Sequence, residues 1–214
     1  MSNQQQHGDV GLAGIPVSFP AITGAILAGG QSTRMGSDKA LLELHGQRML
    51  ERVHRTMASL FGSTLLVTNQ PERYRFLPCP AVPDQFVGAG SLAGIHAALT
   101  HATTEWVFIV ACDMPLLSPA VIRYLCSLSE GCEIVVPESS SGLEPLHALY
   151  HRSCLPEMAA MLSGSRKRIV ELYDLKKTRR VAWHEIAPLP GSDDTFLNLN
   201  TPAEFQAVTD ALTS

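Results

Sequence analysis

An apolar run that breaks into a glycine-rich loop and then into cations constrains this chain more than any other feature. Ile22–Leu27 reads as a strand, Ala28, Gly29 and Gly30 follow it, and Arg34 and Lys39 come soon after. Gly29, Gly30 and Gly36 let backbone approach a ligand closely and adopt φ > 0 at little steric cost. Successive free N–H groups in such a loop cradle an anion, and two nearby cations suit a polyphosphate. The run therefore reads as a nucleotide-phosphate site, but neither of the two common phosphate loops fits it. A Walker A loop needs Gly-Lys-Ser/Thr opening a helix, whereas Lys39 follows Asp38 and precedes Ala40. The spacing of Gly29, Gly30 and Gly36 also misses the dinucleotide fingerprint Gly-x-Gly-x-x-Gly.

Beyond the loop, strands and helices alternate. Leu50, Val53, Met57 and Leu60 recur at helical steps, which predicts an amphipathic helix over about 47–61. Strands are predicted at Thr64–Thr68, Ala81–Pro83, Trp106–Ala111 and Ile134–Val136, with a helix at Leu92–His101. Ser118-Pro119 supplies an N-cap followed by proline at the first helical position, opening a helix to about 129. This alternation predicts an α/β protein with a mostly parallel, twisted sheet and helices on both faces. After Pro137 the pattern changes. Pro145–His151 alternates and suits antiparallel pairing, and short helices are predicted at about 155–163 and 166–174. Arg179–Ile186 and Thr195–Leu199 read as strands, and Thr201-Pro-Ala-Glu204 is a capping box for a last helix to about 212. Residues 1–20 read as a polar extension and 21–214 as one nucleotide-binding domain.

The composition narrows the functional classes. A net charge of −4 and the lack of a basic stripe argue against nucleic acid as partner. No apolar run is long enough to span a membrane, and the N-terminus lacks the pattern of a secretory signal. Cys79, Cys112, Cys126, Cys132 and Cys154 are odd in number and show no Cys-x-x-Cys spacing, which suggests reduced thiols in a cytoplasmic protein.

Ligands of open parallel sheets bind at the carboxyl ends of strands, and several polar residues fall there. Asp113 ends the run Val107–Cys112, where a carboxylate can hold Mg²⁺ together with phosphate oxygens and water. Asn69 closes a strand with an amide that both donates and accepts. Asp84 precedes the glycine-rich segment Gly88–Gly94, in which Ser91 is suited to cap a helix starting at Leu92. Alternation would point Asn198 and Asn200 to one face. His147 and His151 lie four apart, but with no third ligand nearby they do not suggest zinc.

Leu27-Ala28-Gly29-Gly30, Arg34-Met35-Gly36 and Lys39 together resemble the opening motif of the molybdenum cofactor guanylyltransferase (MobA) family of nucleotidyltransferases, Leu-x-Gly-Gly-x-Ser-x-Arg-Met-Gly-x-x-Lys. The resemblance continues through Asp84 and Gly88–Gly94, with Ser91 where proline is usual, through Cys112-Asp113-Met114-Pro115, and through Asn198-Leu-Asn200-Thr-Pro. It implies that the chain transfers GMP from GTP to Mo-molybdopterin and releases pyrophosphate. It further implies GTP contacts at Leu27, Ala28, Gly29, Gly30, Lys39, Asn69, Asp84, Gly90 and Asp113, with Arg34, Lys39 and Asp113 catalytic and Mg²⁺ on Asp113. Asn198, Asn200 and His147 become candidates for the second substrate. A monomer is expected, with molybdopterin-handling proteins and apo-molybdoenzymes as partners. The sequence Leu-Ala-Gly-Gly favours guanylyl over cytidylyl transfer, since cytidylyltransferase relatives tend to read Leu-Ala-Ala-Gly. A cytidylyltransferase of the same fold and a catalytically silent cofactor carrier remain the alternatives.

Overall fold

Strand β1 (Phe19–Leu27) lies in the interior of the sheet in the computed structural model, which describes residues 14–29, 39–164 and 168–211. A 3₁₀ turn at Lys39–Leu41 and a short hairpin, β2 (Glu43–Leu44) and β3 (Gln47–Arg48), lead into α1 (Met49–Leu60). Next come β4 (Phe61–Val67), β5 (Ala81–Val82), α2 (Ser91–His101), β6 (Trp106–Ala111) and α3 (Pro119–Ser127). The C-terminal half holds β7 (Ile134–Ser139), β8 (Gly142–Leu143), β9 (His147–His151) and α4 (Leu155–Ser163). It ends with β10 (Thr178–Val181), the short α5 (Trp183–Ile186) and α6 (Pro202–Ala211).

The strands order as β10-β7-β9-β6-β1-β4-β5, with β8 paired to β7. β1 runs parallel to β4 and β6, β4 to β5, and β7 to β10. β9 is inserted antiparallel between β6 and β7. This is the predicted α/β fold, with its small antiparallel part in the C-terminal half. β6 is apolar throughout because both of its faces are covered, as central parallel strands require. Val107 and Ile109 pack in the layer of α2 and α4, whereas Phe108 and Val110 pack in the layer of α1 and α3.

Sheet and helix meet closely at Gly24. A methyl group there would lie 2.6 Å from Cδ2 of Phe61 and 3.1 Å from Cε of Met57. The Phe61 ring is stacked on Phe108 at 5.8 Å, so it cannot swing aside freely. Gly24→Ala is therefore expected to cost about 1–3 kcal/mol, the usual range for an overpacked core. A urea midpoint unchanged from the natural chain would show that Phe61 yields without cost.

Several predicted elements differ. α1 stops at Leu60 and β4 begins at Phe61, three residues before the predicted strand, because Phe61 is drawn into the core beside Phe108. The helix at 166–174 is instead a 3₁₀ segment, Ile169–Asp174, and residues 165–167 lie outside the described residues. The strand predicted at Arg179–Ile186 ends at Val181. There the Glu185 carboxylate accepts the Ala182 N–H at 2.9 Å and starts the α5 turn. Thr195–Leu199 forms no strand: its Leu197 N–H turns back to Asp194, and Leu199 makes a single rung to Asp113.

Candidate active site

The parallel ladder brings four strand ends to one edge. Leu27 pairs with both Val67 and Ala111, and Val67 pairs with Val82. Three bonds just past the ladder hold the emerging loops in step: Ala28 N–H to Val67 O, Cys112 N–H to Leu27 O, and Thr68 N–H to Val82 O, all 2.9–3.1 Å. Gly29, Asn69, Asp84 and Asp113 all follow directly on these ends.

Asn69 and Asp84 form one unit. The Asp84 backbone N–H donates to Asn69 Oδ1 at 2.9 Å, and Asp84 Oδ1 accepts the Phe86 N–H at 2.8 Å. The second bond is an Asx turn that shapes the loop toward α2. That helix does not start as predicted: Ser91 is its first residue, and Gly90, at φ 76°, takes the N-cap position. Only glycine adopts such a φ readily, so the glycine takes the place expected for the serine hydroxyl.

Asp113 is half-buried, and its backbone carbonyl accepts the Leu199 N–H at 3.0 Å. This single rung seats Asn198 and Asn200 beside the predicted metal aspartate. The amide of Asn198 donates to its neighbour Phe196 O at 3.2 Å, and Asn200 is exposed. Thr201 and Glu204 form the expected capping box, with the Thr201 N–H on Glu204 Oε2 at 2.8 Å and the Glu204 N–H on Thr201 Oγ1 at 3.2 Å. The Ser118 hydroxyl caps α3 by accepting the Val121 N–H at 3.2 Å.

His147 is the exception among the predicted residues. It is 0% exposed, with neither ring nitrogen hydrogen-bonded, and it lies between the rings of Phe108 and Phe196. Burial pulls its pKa down to about 3. In this structure it does not face solvent, so the surface position expected for a second-substrate ligand is not the one it takes. The alternating pattern that placed it on β9 could not tell which face the sheet would cover. Gly30 and Arg34 lie outside the described residues, and Lys39 is placed only by its backbone at the head of the 3₁₀ turn.

Thr195 and Phe196 belong to no motif, and the sequence marks them only as part of the strand expected at Thr195–Leu199. Thr195 is buried, and its Oγ1 accepts the Ser118 N–H at 2.9 Å. An open cleft of about 430 Å³ flanks the same loop, lined in part by Arg52, Arg55 and Asp194, and contains none of the strand-end residues.

Residues 24–180 match the profile of the MobA-like NTP transferase domain, which is most of the chain. The chain belongs to the MobA-like NTP transferase family. A molybdenum cofactor guanylyltransferase of Desulfosudis oleivorans is 37% identical over 188 residues, covering 87% of this chain and 93% of the relative. The crystal structure of molybdopterin-guanine dinucleotide biosynthesis protein A from Archaeoglobus fulgidus superposes with a TM-score of 0.78 at 25% identity, covering 89% and 98% of the two chains. A Mycobacterium tuberculosis protein crystallised in complex with manganese shares the fold, with a TM-score of 0.63 at 18% identity over 89% and 99% of the chains. As a MobA-like enzyme the protein is a nucleotidyltransferase, and among its described residues no helix is long and apolar enough to cross a membrane.

Proposed function

We propose that this MobA-like enzyme is a molybdenum cofactor guanylyltransferase, joining GMP from GTP to Mo-molybdopterin to give the guanine dinucleotide cofactor and pyrophosphate. One observation carries the reading: Gly29, the Asn69–Asp84 pair, Asp113 and the docked Asn198–Asn200 segment meet at one sheet edge. The acceptor is a phosphate monoester, largely dianionic at neutral pH because its second pKa is about 6. Its oxygen forms a bond to the α-phosphorus of GTP while the bond to the β-bridging oxygen breaks, so no general base is required. Alignment and charge neutralisation then supply the catalysis. In this scheme Asn69 and Asp84 hold the nucleoside, and the Ala28–Gly30 backbone, Arg34 and Lys39 take up charge on the departing pyrophosphate. Asn198 and Asn200 lie on the acceptor side.

The residues present fit a Mg²⁺ ion. Among the described residues no group of three or more His, Cys, Asp or Glu side chains converges. A half-buried carboxylate at a strand end suits a cation that keeps waters and takes phosphate oxygens rather than one needing a protein cage. When bound at Asp113, Mg²⁺ would neutralise phosphate charge and polarise the α-phosphorus.

Pyrophosphate release, measured with Mg²⁺, Mo-molybdopterin and each of GTP, CTP, ATP and UTP, tests the reading. Release with GTP alone is expected. Release with CTP would move the enzyme to the cytidylyl branch, and silence from folded protein would overturn the activity.

A further inference from the structure

The segment Pro190–Asn200 has no helix or strand, yet it carries the two asparagines of the acceptor side. Its attachments are therefore what set their position. Two lie at Ser118, whose N–H donates to Thr195 Oγ1 at 2.9 Å and whose hydroxyl donates to Pro190 O at 2.5 Å. A third is the Leu199 N–H on Asp113 O. The fourth is aromatic: the Phe196 ring stands against His147 at 4.9 Å and 78°, with Trp183 at 6.4 Å on another side. His147 meets Phe108 of β6 at 5.4 Å and 86°, and Phe108 rests on Phe61. A continuous row of rings thus runs from β4 through β6 and β9 to the closing segment. His147 pairs in register with Val110, next to last in β6, and Asp113 lies two residues past the end of that strand.

As a mere core filler this imidazole is a poor choice. Both of its nitrogens are buried without partners, which costs desolvation that an apolar side chain would avoid. We propose that His147 is a positioning residue, holding Phe196, and through it Asn198 and Asn200, in place over Asp113. The inference rests on the reading of those asparagines as the acceptor side. Edge-to-face aromatic contact is directional, so the ring fixes where Phe196 sits, and the Asn198 amide bonds to that residue's own carbonyl.

Hydrogen exchange of the full chain tests this without assuming the reaction, and kinetics tests it through the proposed activity. Leu199 exchange in His147→Ala and in Phe196→Ala should rise about tenfold or more, by local opening, while β1 and β6 stay protected. In steady state the acceptor KM should rise about tenfold with the GTP KM little changed, a loss of binding on one side only. His147→Phe, which keeps a ring, should restore both. Phe196→Ala lies at the partly buried end of the row and so reports even if His147→Ala fails to fold. Unchanged Leu199 exchange in Phe196→Ala would overturn the proposal. So would loss of protection spread evenly through the sheet in His147→Ala with the Phe196→Ala segment still protected. If the natural chain releases no pyrophosphate, the proposed activity falls, whereas the exchange arm still decides the clamp.

Discussion

Asp113→Asn should lower kcat by about 10²–10³-fold, the usual cost of losing one group that stabilises developing charge. The substitution is nearly isosteric and removes one negative charge at the end of β6. It leaves the backbone carbonyl of residue 113, which holds Leu199, in place. The closing segment should therefore stay docked, and the loss is assigned to the carboxylate rather than to its surroundings. Steady-state pyrophosphate release at saturating GTP and acceptor measures the effect, with a thermal melt to show that the fold is intact. Turnover close to that of the natural chain would remove Asp113 from the catalytic machinery and, with it, the case for a metal there.

Mild acid should destabilise the folded chain through His147. The ring is neutral and wholly buried, and burial lowers its pKa from the ordinary 6.5 to about 3. Above 6.5 it is neutral in both folded and unfolded states and contributes nothing to the pH dependence. Below 6.5 the unfolded chain takes up a proton that the folded chain refuses. Stability then falls by about 1.4 kcal/mol per pH unit, levelling off near the folded value. Going from pH 7 to pH 5 crosses about 1.5 units of that window, a loss of about 2 kcal/mol. His54 and His96 add to the loss in the same direction, since burial lowers both, the effect on His96 being opposed by Asp84. The depressed carboxylates act in a lower window. A hydrogen bond from Ser153 leads the causes at Glu133, and one from Lys176 leads at Glu157, so their share is lost only as pH falls below the ordinary carboxylate range. Urea unfolding of the natural chain and His147→Phe at both pH values isolates the His147 share. The difference between them should move by about 2 kcal/mol in favour of His147→Phe on acidification. A constant gap would show that the ring takes its proton without unfolding.

The features legible in the chain were those set by near neighbours. The apolar run at Ile22–Leu27 marked a strand, and the unbroken one at Trp106–Ala111 marked a buried strand because both of its faces must be covered. Ser118-Pro119 and Thr201–Glu204 announced their helices because a cap is satisfied within three residues of itself. The strand-end polar residues followed from the rule that such sheets bind ligands at that edge, and Asn69, Asp84 and Asp113 do lie there.

Contacts between distant segments were not legible. Thr195–Leu199 looks like a strand, but a strand needs a partner of matching length, and this one finds a single rung at Asp113. Arg179–Ile186 has the composition of a strand until Glu185 reaches back to the Ala182 N–H and turns the chain. The alternation around His147 is the same whether β9 lies at an edge or in the interior. Insertion of β9 between β6 and β7, with Phe196 folding over its end, made that histidine a buried ring rather than a surface ligand. Local hydrogen bonding and periodicity act along a few residues and are written in their order. Burial depends on which segments arrive on top, and the chain settles that only when the whole sheet is assembled.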